Sequence, residues 1–107
     1  MLKEFVLFVR YFFRYAYYLR GVLVALLVMI FLGALAISRL EDIPMGESIY
    51  FAFITGMSVG YGDISPVTAW GRVVSVGIGL IGMLTVGITV AIANRALATT
   101  ITDLQSE

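Results

Sequence analysis

Two stretches without one charged side chain divide this 107-residue chain and decide which solvent it can fold in. No Asp, Glu, Lys, Arg or His lies between Arg20 and Arg39, a gap of 18 residues, or between Arg72 and Arg95, a gap of 22. As helices rising about 1.5 Å per residue these gaps reach roughly 27 and 33 Å, against a bilayer hydrocarbon core of about 30 Å. With 61% of residues hydrophobic and only 13% charged, the whole chain has a membrane protein's composition. The expected arrangement is therefore an all-α membrane protein with spans over 21–39 and 72–96. A cleaved secretory signal is a poor alternative for the first run. It is longer than the 7 to 15 apolar residues typical of signals, and it follows twenty aromatic and basic residues rather than a short basic start.

The remaining composition removes function classes. The formal net charge is zero and no basic block offers a nucleic-acid footprint. With no Cys and no His there is no thiolate chemistry and no switch near neutral pH. No paired carboxylates fall within the spans, so nothing points to an enzyme, a cofactor or a small-molecule substrate.

Residues 1–20 carry Lys3, Arg10 and Arg14 within about 40° of one another around a helix, on a body of Phe, Tyr, Val and Leu. Such a helix suits the headgroup boundary, and an interfacial helix is expected here, with membrane lipid as its partner. The alternative is that these residues begin a longer first span. Lys3, Arg10, Arg14, Arg20 and Arg95 flank the spans on one side and only Arg39 and Arg72 on the other, which predicts a multi-pass protein of the cell membrane with both termini cytoplasmic. The opposite side carries Glu41, Asp42, Glu47 and Asp63, whose default reading is as solvated loop carboxylates that raise the local cation concentration.

Between the spans, 44–57 reads as a short helix started by Asp42 or Pro44 and carrying Tyr50, Phe51 and Phe53. It is too short to cross a bilayer, and the Gly-punctuated stretch after it fits a re-entrant loop. That stretch, 58–63, is Ser58-Val59-Gly60-Tyr61-Gly62-Asp63. Its working groups are backbone carbonyls: several in succession, aimed at one axis, can replace the water around a cation. A regular strand alternates its carbonyls and cannot do this. Gly60 and Gly62 lift the restriction by admitting positive φ. Ser58, Val59, Gly60 and Tyr61 are the expected coordinating residues, the Ser58 hydroxyl standing at the inner end. One chain supplies one wall of such a cage, so several copies about an axis are implied.

These residues, with Pro66, Val67, Thr68, Trp70, Gly71 and Arg72 after them, resemble the potassium channel family in its two-span bacterial form, and the similarity runs from about Gly21 to Ala96. The resemblance implies a homotetramer around a central pore, two membrane helices flanking a re-entrant pore helix and a filter strand, and potassium as the permeant ion. On this pattern 21–107 is the pore domain. Gly62, Asp63, Tyr50, Phe51 and Ile54 fall at positions that support the filter: Tyr50 where a donor to Asp63 stands, Phe51 where some relatives carry Trp, Ile54 where some carry a Glu partner for that Asp. Gly82 falls at the gating hinge and Gly87 near the inner narrowing, while close packing is the competing role of both. Ser58 replaces the commoner Thr and loses a methyl that restricts rotation. Met57 makes the cavity entrance bulkier than Thr would. Rival expectations are a weakly selective cation channel and a non-conducting membrane assembly subunit.

Overall fold

The computed structural model describes residues 1–106, and among them every regular element is helical. Four helices follow in order: α1 (Leu2–Tyr18), α2 (Arg20–Glu41), α3 (Met45–Gly56) and α4 (Ala69–Gln105). Two of them, α2 and α4, are long and apolar enough to cross a membrane. The chain divides into two compact units, one of 24–86 and one that joins 1–23 to 87 onward.

In the 24–86 unit, α2 buries Leu26, Ile30, Ala34 and Ile37, a stripe spaced three and four residues apart. Ile30, Ala34 and Ile37 meet Phe51 and Ala52 of α3 and Ile78 of α4 in one core. Elsewhere on α2, Val24, Leu27, Val28, Met29, Phe31 and Leu32 are all exposed, a large apolar surface of the kind a membrane helix carries. One hydroxyl lies in this core: Ser48, fully buried, donates to the Ala34 carbonyl and so escapes the cost of an unpaired polar group. Asp42 closes α2 in the left-handed region at φ 54°, which Asp tolerates better than most residues. Pro44 then caps α3, its carbonyl accepting from the Ser48 N–H at 3.1 Å.

In the other unit α1 is a helix in its own right. It ends at Leu19, whose N–H bonds the carbonyls of Tyr15 and Ala16, both at 3.2 Å, and α2 begins at the next residue. Arg20 seals the break, donating to the Tyr17 carbonyl at 3.0 Å while its guanidinium lies 4.1 Å from the Tyr17 ring centre. Tyr11 donates to the Asp103 carboxylate, and the Tyr15 phenol bonds Thr99 Oγ1 at 2.8 Å, so α1 is fastened along the last turns of α4. Ile92, Ala96 and Thr100, four residues apart, form the buried stripe there. The expected second span, 72–96, lies inside α4, which continues to Gln105. Its 37 residues extend about 55 Å, well beyond a hydrocarbon core of about 30 Å.

Candidate functional site

Between α3 and α4 the chain leaves helical geometry, and residues 57–63 are all exposed. The departure is built on the end of α3. The Ser58 N–H bonds the Thr55 carbonyl at 3.2 Å and the Val59 N–H bonds the Ile54 carbonyl at 2.9 Å, while Ser58 sits at φ 66°. That pairing is a Schellman cap with Ser58 in the left-handed position that glycine usually takes. The Gly60 N–H shares the Ile54 carbonyl at 3.3 Å, so one backbone oxygen anchors two successive residues of the Gly-rich stretch.

Beyond the cap, Gly60 takes φ 57° and Gly62 φ 81°, while neither Val59 nor Tyr61 is at positive φ. The sign of φ therefore alternates from Ser58 to Gly62. Alternating handedness gathers successive N–H groups on one side of the backbone and leaves the carbonyls on the other. A segment with this property can present consecutive oxygens to a cation, which an ordinary strand cannot.

The supporting residues are placed as follows. Tyr50, on α3, stands near Asp63 and Tyr61. Phe51 is buried in the core and lines a cavity of only about 20 Å³ with Ile37, Ile64 and Pro66, so its ring acts by filling space behind the loop. Ile54 contributes its carbonyl, which accepts from Val59 and Gly60. Gly82 lies in an unbroken stretch of α4 directly against the end of α3, where an added Cβ would overlap the Gly56 carbonyl oxygen and come within 2.5 Å of Gly56 Cα. Gly87 has open space around it in the same continuous helix.

Glu41 departs from the solvated reading given to the outer carboxylates. Its carboxylate accepts from the Val67 N–H at 2.7 Å, from the Thr68 N–H at 3.0 Å and from the Thr68 hydroxyl, joining the end of α2 to the start of α4. Thr68 is in turn the cap of α4, its Oγ1 accepting from the Gly71 N–H at 3.0 Å. A Cβ at Gly71 would strike this carboxylate and the Thr68 hydroxyl, so glycine there lets the clamp close. Arg72 Nε reaches the Pro66 carbonyl at 3.4 Å, holding the same loop from α4. The cap at Thr68 was open to discovery as a Thr preceding an apolar helix. Its tie to Glu41 had no local signal.

Fold and loop together define an all-helical chain with two helices long and apolar enough to cross a membrane and a non-helical, Gly-punctuated segment between them. A family model described as "Ion channel" matches residues 17–99, and the chain belongs to the ion-channel family. It is also similar to the two-pore potassium channel 5 of Arabidopsis thaliana, with 28% identity over 74 residues, an alignment covering 64% of this chain and 18% of the plant protein. The chain thus matches less than a fifth of that relative's length. No solved structure matches it.

Proposed function

We propose that four copies of this chain form a potassium-selective pore whose filter is the Ser58, Val59, Gly60 and Tyr61 backbone, the Ser58 hydroxyl completing the innermost site. The observation that supports this reading is the alternation of φ sign from Ser58 to Gly62, which a succession of carbonyls facing one axis requires and a regular strand lacks. Gly62 and Asp63 close the filter's outer end, with Tyr50, Phe51 and the Ile54 carbonyl as its support. The potassium-channel relative favours the same ion.

Assembly is supported by α4. Val73, Val76, Leu80, Met83, Val90, Leu97 and Ile101 are all about half exposed or more, and with Gly87 and Asn94 they recur at alternating steps of three and four residues. That is the spacing of a helix seam that packs on copies of itself. In this reading Gly82 and Gly87 lie where α4 bends and narrows on opening, and both termini face the cytoplasm of a cell-membrane protein. The test is radioactive rubidium or potassium uptake into vesicles holding the purified protein, with sodium in parallel. Uptake of potassium but not sodium supports the reading. Equal uptake of both means a weakly selective cation pore, and no uptake of either with an intact oligomer favours an assembly subunit.

A further inference from the structure

From Gly87 onward, one face of α4 is buried and the opposite face is open. Ile92, Ala96 and Thr100 are buried, whereas Val90, Leu97 and Ile101 are each about half exposed. At about 100° per residue the two stripes lie about 130° apart around the helix. Gly87 and Asn94 belong to the open stripe, and a Cβ added at Gly87 would meet nothing within 4 Å.

Asn94 is the one polar residue among these five. It is exposed, and its side-chain amide has no partner among the described residues. An amide left facing hydrocarbon is costly, and in a bilayer such groups bond across to a neighbouring helix. The stripe itself says which helix that is. Its residues from Gly87 to Ile101 carry no charge, so nothing in it repels its own image. Copies inserted in one membrane run parallel, which sets each residue opposite the residue of the same number. The Asn side chain holds both donors and an acceptor, so it can bond its own copy across a symmetry axis as a lysine or an aspartate cannot. Gly87, one heptad earlier, lets two backbones approach closely.

We propose that the Asn94 side chains of neighbouring copies hydrogen-bond to one another, a polar layer between the apolar layers of Val90 and Leu97 that holds the C-terminal parts of α4 together. The layer rests on the assembly through α4 proposed above. It does not depend on which ion passes or on whether any does.

The experiment uses the absence of Cys from the chain. Single cysteines are placed in the full chain in lipid vesicles and oxidised with copper phenanthroline, and the disulfide-linked dimers are timed on denaturing gels. Leu97→Cys should cross-link, and Arg95→Cys, about 130° away from the stripe, should do so at least fivefold more slowly. In the Leu97→Cys chain, Asn94→Ala should slow the reaction about fivefold, the loss of one interhelical amide contact. Asn94→Gln should recover part of the rate. Asn94→Asp should be slow at pH 8, where converging carboxylates repel, and return toward the unsubstituted rate at pH 5, each compared with the Leu97→Cys chain at the same pH. Equal rates for Leu97→Cys and Arg95→Cys, an Asn94→Ala rate within twofold of its parent, or an Asn94→Asp ratio that does not change with pH overturns the layer. Cation uptake by wild-type vesicles reports separately on the pore. Uptake without the Asn94 effects removes the layer and keeps the pore, and the Asn94 effects without uptake keep the layer and remove the pore.

Discussion

Replacing Gly82 by Ala tests the tightest contact in the 24–86 unit. The new Cβ would lie 2.5 Å from Gly56 Cα, against a carbon–carbon optimum of about 3.5 Å, so α3 and α4 must part by on the order of 1 Å. No obstacle is a flexible side chain: the obstructing atoms are the Gly56 oxygen, Cα and carbonyl carbon, at the end of the helix that anchors Val59 and Gly60. Overpacking of this kind costs about 1–3 kcal/mol, partly offset by the roughly 1 kcal/mol that Ala gains over Gly within a helix. The net expectation is a loss of up to about 2 kcal/mol per chain, centred on the α3 end. Gly79→Ala is the control. Nothing lies within 4 Å of its added Cβ, so only the helix gain applies. Thermal unfolding of the purified oligomer should place Gly82→Ala below wild type and Gly79→Ala at or above it, with hydrogen exchange rising at residues 57–62 only in Gly82→Ala. A Gly82→Ala protein as stable as Gly79→Ala would refute the reasoning.

Three further substitutions test other contacts. Glu41→Gln keeps the shape but weakens the acceptor for Val67 and Thr68, so amide exchange at those two residues should rise well before that in α2; equal protection in both proteins would count against the clamp. Tyr11→Phe removes the donor to Asp103 and should raise exchange across Leu2–Tyr18 at pH 7. Because that bond raises the Tyr11 pKa above its usual 10.0, wild type should keep the protection up to that value and lose it only as pH climbs through the raised one. Loss of wild-type protection already at neutral pH would contradict the assignment. Ser58→Gly relieves a left-handed serine and should stabilise the fold by about 1 kcal/mol per chain, while the missing hydroxyl weakens potassium binding at the inner end; a lower melting temperature would refute the cap.

The spans and the short helix between them were legible because charge gaps and aromatic runs are local. Gly60 and Gly62 were legible because so few residues accept positive φ, and both take it. Ser58 in the left-handed region was not, since serine has no preference that announces it; the cap of α3 imposes it. The bonds that the Ile54 carbonyl accepts from Val59 and Gly60 had no signal, because a carbonyl looks the same in every residue. Glu41 was hidden for a different reason. Its partners are backbone and side-chain donors 26 and 27 residues away, so only the packed loop identifies it. That α4 runs on past the span was not legible, because Arg95 ends the uncharged run; no Gly or Pro follows to end the helix.

The central proposal is that backbone oxygens from Ser58 to Tyr61 select potassium, and the most direct measurement is the reversal potential in planar bilayers with potassium on one side and sodium on the other. The wild-type protein should reverse near the potassium equilibrium value. Gly60→Ala, whose side chain meets no neighbour but must sit at φ 57°, should move that value toward zero or abolish current while the oligomer remains assembled. A wild-type reversal near zero, or full selectivity in Gly60→Ala, would contradict the assignment.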